Sequence, residues 1–398
     1  MIRRAFCIGI ALLSLNGCLS PLAMHRAVLE YDRTVNLLEA EMLLLNIARA
    51  KQGQPLHFTA VSNVAATFDF RSSGGIGGQL FESSGPVFAR NFYMFNLGAS
   101  MAESPTVSII PVQGEDFTKR ILTPMDETKF DFLVTQGVEP AIVLRLMGRG
   151  LAVESDGQRT FYLNLPHRPE EYREFRKRIL HLSGLNVARE LHVGPITFEE
   201  AWPLPLDHPL TGQALDKGYE WSRDERGHAQ LIRRVTGRVA LTNYDPGSLG
   251  NEERRRLHQQ ADRYPRNYIL VDIRPGHPGG DYSWQGQIKL RSFNGILGFL
   301  ARGIAAEPEF GVEPDPRSKQ APRNPVRTLA IAETDDRPSE AVFAATLEDR
   351  WYAMDGGSEG DEEPRRWNRE AFELLSQLYQ MTVTDVARVP TLPITIAK

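Results

Sequence analysis

The 398-residue chain holds only two cysteines, Cys7 and Cys18, both within its first eighteen residues. Everything beyond them lacks a thiol, so disulfides, cysteine-ligated metals and thiol catalysis are excluded there. After residue 18 no run of eighteen apolar residues occurs, and no transmembrane helix is expected. A basic excess is missing too: 46 Lys and Arg against 50 Asp and Glu leave a net charge of −4, which gives nucleic acid no electrostatic footprint. The nine histidines, at 25, 57, 167, 181, 192, 208, 228, 258 and 277, never stand four residues apart, and His-Glu-x-x-His does not occur. Each reads as a surface or capping residue, and no metal or cofactor is expected. Gly98-Ala99-Ser100-Met101-Ala102 lacks the last glycine of a nucleophile elbow, no Ser-x-x-Lys pair occurs, and the glycines at 74, 75, 77 and 78 are not followed by Gly-Lys-Ser/Thr. No catalytic residue is assigned.

What is present begins at the N-terminus. Arg3-Arg4, an apolar run from Ala5 to Leu13, and Leu15-Asn16-Gly17-Cys18 follow one another. A short basic region, about ten apolar residues and a small residue describe an export signal, too short to span a bilayer. The last four residues resemble the lipobox of bacterial lipoproteins. That resemblance implies a signal peptide over 1–17 and lipidation of Cys18, palmitate included, as the first mature residue. Leu19 rather than Asp after the cysteine implies, by the same resemblance, forwarding to the outer membrane, facing the periplasm. Each buried acyl CH₂ contributes about 0.8 kcal/mol, and two or more chains are needed for lasting attachment.

Apolar residues at 41%, aromatics at 9% and charged residues at 24% sit near globular averages, so the mature chain is expected to fold. The spacing predicts an anchor tether and helix over 18–57, since Val28, Tyr31, Val35, Leu38, Met42 and Leu45 recur every three or four residues, with Gly53 and Pro55 beyond. A long β-ribbon is expected over 58–113. One parity of Phe58–Arg71 is apolar and the other polar apart from Val61 and Ala65; a second strand follows around Tyr93–Met101, and a Gly/Ser-rich tip, Ser72 to Pro86, lies between. Residues 114–306 read as an α+β body, with helices at Glu115–Leu122, Asp126–Gln136, Pro169–Leu182, ending near Gly184, and Ser292–Ala305, and strands at Val235–Thr242, Tyr268–Ile273 and Tyr282–Leu290, the last two a hairpin about the Pro275–Gly280 loop. Ala141–Val153 reads equally as helix or strand. The prolines of 307–326 suggest a linker or exposed loop. Residues 327–398 carry three short strands, a helix from Trp367 to Met381 and a last strand at Thr391–Ala397. The sum is an α+β protein with mixed and antiparallel sheets.

The paired carboxylates Glu199-Glu200, Asp335-Asp336 and Asp361-Glu362-Glu363 flank turns and read as solvated, and Arg254-Arg255-Arg256 as an ion-pairing helix face behind Glu252-Glu253. The five tryptophans are scattered, which favours core or rim packing over a sugar platform. Tyr31-Asp32-Arg33 to Ile47-Ala48-Arg49, Ser104-Pro105-Thr106 with Leu122-Thr123-Pro124, and Leu290-Arg291-Ser292 are similar to stretches of uncharacterised bacterial outer-membrane lipoproteins, a resemblance that brings no activity with it.

The expected role is a non-enzymatic structural or assembly component at the outer membrane, held to the membrane by its lipid, with envelope proteins or further copies of itself as partners and no nucleic acid. The ribbon is expected to pack on the chain's own core. A sharper form has several ribbons closing a barrel, as in some lipoprotein secretion channels. The alternative is an anchored enzyme or binding module acting on peptidoglycan or envelope polysaccharide.

Overall fold

The computed structural model describes residues 19–79, 92–155, 157–203, 218–223, 226–319, 321–355 and 362–383. Cys18 and the leader, residues 80–86 of the Gly/Ser-rich tip, His208 and the expected strand at 391–397 lie outside the described residues. The protein is α+β with mixed and antiparallel sheets, and no described helix is long and apolar enough to cross a membrane.

Two compact units divide the chain, one holding residues up to Leu37 and His57–Val112, the other Leu38–Leu56 and Gln113–Asp385. Helix α1 (Leu19–Lys51) contributes to both. It stops at Gly53, whose φ of 69° suits a left-handed cap. There the Gln54 amide donates to the Arg49 carbonyl (2.9 Å) and the Gly53 amide to Ala50 (3.3 Å), a Schellman arrangement that satisfies two terminal carbonyls. In the first unit β1 (Phe58–Gln79) pairs antiparallel with β2 (Phe92–Val112) as a two-stranded sheet. The segment read as the tip's first half, Ser72 to Gly78, is paired strand, with Gly74 opposite Leu97 and Gly78 opposite Tyr93.

After Leu38–Leu56 the second unit continues with three short helices, α2 (Glu115–Leu122), α3 (Glu127–Thr135) and α4 (Pro140–Met147). Asp126 caps α3 by accepting the Lys129 amide at 3.1 Å. The ambiguous apolar run is both helix and strand, since α4 passes directly into β3 (Gly148–Ser155). Such a run, buried on every side, carries no period that tells the two apart.

Next come β4 (Gln158–Leu163), α5 (Pro169–Val187), β5 (His192–Pro203), β6 (Glu220–Arg223), β7 (Ala229–Thr242), α6 (Asn251–Asp262), β8 (Tyr268–Ile273), β9 (Trp284–Leu290) and α7 (Phe293–Ala305). Their strands form one sheet in the order β4-β3-β9-β8-β7-β5, with β6 also on β7. Only β7 and β8 run parallel, and α6 supplies the crossover this requires. Leu257 and Ala261 of α6 meet Ile196, Ala240 and Leu270 of the sheet, while the Asn251 side chain bonds both the amide and the carbonyl of Glu199. Strands β10 (Ile331–Thr334), β11 (Ala344–Leu347) and β12 (Arg350–Met354) form a small sheet with β12 central, followed by α8 (Glu362–Val383). Asn368 of α8 ties this sheet down by bonding the Ala330 amide (2.7 Å) and the Ala330 and Asp355 carbonyls.

Three expectations need correction. Helix α5 runs past Gly184 to Val187; a Cβ at Gly184 would lie 2.6 Å from the Lys319 carbonyl, so this glycine serves close approach rather than termination. Among the described residues, 307–326 have no helix or strand, yet Val312, Asp315 and the Glu309 side chain are buried, because a guanidinium cluster draws the segment into the core. His181 is wholly buried rather than a surface or capping residue, since α5 turns that face inward with Leu180 and Leu182.

Candidate functional site

Helix α3, the turn after it and α8 line one concave surface among the described residues. A cleft of about 580 Å³ opens there, within the range of ligand sites. Its apolar lining comes from Phe132, Leu133, Val138, Ile142 and Leu374, and Phe132 remains 54% exposed. The polar rim is organised by Arg323, which donates to Glu139 at 2.5 Å and to Glu370 at 2.6 Å while its guanidinium stacks 5.0 Å from the centre of the Trp367 ring. Glu370 also accepts from Arg366 at 2.8 Å. Burial alone would raise the Glu370 pKa, but the two guanidiniums outweigh it and hold this carboxyl below its usual range. A carboxylate held ionised by two arginines is a poor proton donor at neutral pH. The cleft sets apolar side chains inside a rim of ion pairs.

Behind the cleft lies the guanidinium cluster. Glu309 faces Arg145 (3.5 Å) and Arg176 (3.7 Å), all three nearly inaccessible, and accepts from the Tyr172 hydroxyl (2.9 Å) and the Thr328 hydroxyl (2.8 Å). Burial lowers the Arg145 pKa to about 10, with the Arg176 charge adding to the effect and Glu309 opposing it; Arg145 therefore stays charged at neutral pH. Arg291 is pushed down to about 9, again by burial, and donates to the Leu146 carbonyl near the C-terminus of α4 and to Asn164. This cluster is structural. It fastens the proline-rich segment to α4 and α5.

Two other convergences are visible. In the first, Asp272 accepts from the Tyr244 hydroxyl (2.6 Å), Arg274 (2.8 Å) and Gln285 (2.7 Å) beside a 70 Å³ cleft that also contains Glu154. Three donors thus converge on the Asp272 carboxylate. The second surrounds His181, whose two nitrogens are buried without hydrogen-bond partners, as are the Tyr282 hydroxyl, Trp284 Nε1, Arg178 Nε and Ser318 Oγ. The His181 and Tyr282 rings meet edge to face at 5.2 Å. Burial lowers the His181 pKa to about 4 against the opposing pull of Asp315 and the Gly279 main chain, and burial raises that of Tyr282 to about 12.

The residues singled out in the sequence do not converge. Cys18 lies outside the described residues. His167 pairs with Glu307 at 2.7 Å, His258 accepts from the Arg238 amide at 3.2 Å, and His25, His57, His192, His228 and His277 are exposed. Among the described residues no group of three His, Cys, Asp or Glu side chains is placed to hold a metal ion. Glu200 pairs with Arg233 at 2.9 Å, and Arg255 reaches both Glu252 and the Glu199 carbonyl. Trp284 and Trp367 are core residues, whereas Trp202 and Trp221 are 59% and 53% exposed and both stand opposite Leu231 in the ladder. Sequence reading missed Arg323 and Arg145. Arginine in an apolar helix such as Pro140–Met147 was the available signal.

No known protein family, curated protein or solved structure matches this chain.

Proposed function

We propose that this chain is a lipid-anchored protein of the bacterial cell envelope, acting at the outer membrane as a structural or assembly component rather than as an enzyme. The observation that carries the reading is the order Arg3-Arg4, apolar run, Leu15-Asn16-Gly17-Cys18, with Leu19 behind it. Two features of the second unit support an assembly role. Its larger cleft has an apolar floor and a rim of guanidinium-carboxylate pairs, and the Glu370 and Asp272 carboxylates are both engaged by several donors. Glu370, held below its usual range by Arg323 and Arg366, is not poised to give a proton near neutral pH.

The test is expression of the full chain with labelled palmitate, compared with Cys18→Ala. The reading expects label and an outer-membrane fraction for the parent, and neither for the variant. An unlabelled parent in the soluble fraction refutes it.

The second reading, a binding module for peptidoglycan or envelope polysaccharide, is favoured by Trp202 and Trp221, which flank Leu231 on one exposed sheet face as stacking surfaces for a sugar ring. Co-sedimentation with purified sacculi that is lost in Trp202→Ala/Trp221→Ala supports it. Sedimentation unchanged in that variant removes it.

A further inference from the structure

The antiparallel register of β1 and β2 sorts the sequence of the ribbon between two faces. A register shift between Val61 and Asn63 places Val61, opposite Ile109, on the same face as Val64, opposite Val107, because residues two apart on β2 share a face. From there Ala66, Phe68, Phe70, Ser72, Gly74, Ile76 and Gly78 follow on that face of β1. Their β2 counterparts include Met101, Ala99, Leu97, Phe95 and Tyr93, and the acidic exception is Glu103, opposite Phe68. The other face carries Asn63, Thr67, Asp69, Arg71 and Ser73 on β1. Opposite them stand Ser108, Ser104, Ala102, Ser100 and Gly98.

Between Glu103 and the aromatic Tyr93 the apolar face has no charge. That band covers Phe70 to Gly78 and Tyr93 to Met101, about nine residues per strand, where a tilted strand needs roughly 9–11 to cross a bilayer. An aromatic residue at the end of such a band is the usual position for an interfacial girdle. The strands have 22 and 21 residues, far beyond the roughly 5–6 of an ordinary globular strand. Each is bonded only to the other among the described residues, so no described strand covers either outer edge of the sheet. In hydrocarbon such edges are tolerable only if closed by further strands. Two strands per copy give the even strand number that bacterial barrels have, and about four copies would reach the smallest, eight-stranded size.

We propose that the β1–β2 ribbons of several copies of this chain pair edge to edge and close a membrane-spanning β-barrel, the Phe70–Met101 face toward lipid and the Arg71–Ser100 face toward an aqueous lumen. The inference rests on the lipid-anchored reading, which brings the copies to one membrane.

Single-cysteine variants of the full chain test it, because a lipidated Cys18 leaves the mature chain without a free thiol. Ser72→Cys and Ala99→Cys lie on the apolar face, Ser73→Cys and Ser100→Cys on the polar one, and all four exchange one small side chain for another. In native membranes a water-soluble maleimide is expected to label the polar-face pair on the order of tenfold faster, since thiol reaction needs solvent access. Detergent-extracted parent is expected at several times the monomer mass on native gels. Equal labelling of the two faces, or a monomer after mild extraction, overturns the proposal. Labelling of the unaltered parent reports a free Cys18 and overturns the anchor reading separately, leaving the face contrast to be read on its own.

Discussion

Replacing Glu309 by Gln removes one negative charge from between two buried guanidiniums while keeping the side chain's size. Arg145 and Arg176 are 3% and 1% exposed, and each retains carbonyl or hydroxyl acceptors such as Pro325, Val326 and the Tyr172 hydroxyl, but among the described residues no other carboxylate lies within 4 Å of either. The Gln amide group would also turn a donor toward the Thr328 or Arg145 donors that Glu309 now satisfies. Breaking a buried pair in this way costs about 3–5 kcal/mol. At about 2–4 °C per kcal/mol for a unit of this size, thermal denaturation should move down on the order of 10 °C. The acid limb supplies an independent check. Burial raises the Glu309 pKa, Arg145, Arg176 and the Thr328 groups outweigh it, and the net folded value lies below the ordinary 4.5. A carboxylate depressed on folding stabilises fully above its unfolded pKa, and that contribution is lost as pH falls through the folded value. The parent should therefore lose stability below about pH 4.5, and Glu309→Gln should lose less over the same window. Hydrogen exchange at Thr328 should rise in the variant. A melting temperature within about 2 °C of the parent, with an unchanged acid limb, would refute the reasoning.

Further outcomes follow from the same geometry. His181→Phe should cost little or stabilise the fold at pH 7, since it removes two buried unpartnered nitrogens. Its folded pKa of about 4 lies below the ordinary 6.5, so the parent should lose on the order of 3 kcal/mol as pH falls from 6.5 to 4, a slope that urea titrations should find absent in the variant. Gly184→Ala should destabilise by about 1–3 kcal/mol through the Lys319 carbonyl 2.6 Å from its Cβ, with proteolysis near Lys319 as the readout. Arg238→Met strands Glu127, bonded at 2.6 Å in the core, and should cost about 3–5 kcal/mol in denaturant titration; adding Glu127→Gln should restore part of it.

Local chemistry made much of the fold legible. Helix α7 begins where Ser292 caps it, β8 and β9 flank the Pro-Gly loop read as a hairpin, and α1 ends at Gly53, because caps and turn residues act on their immediate neighbours. What stayed hidden depends on distant partners. Gly184 was read as a stop because nothing in α5 reveals Lys319, and 307–326 was read as a linker or exposed loop because nothing near Glu309 reveals Arg145 and Arg176. Val61 broke the alternation in the sequence, and the register shift beside it accounts for the break. The cleft rim was illegible for the same reason, since Arg323 meets Glu139 from 184 residues away.

Mass spectrometry of the N-terminal peptide from membrane-extracted protein tests the account most directly. It should find a chain starting at Cys18 and carrying acyl groups. An unacylated peptide that still begins at Met1 would contradict it.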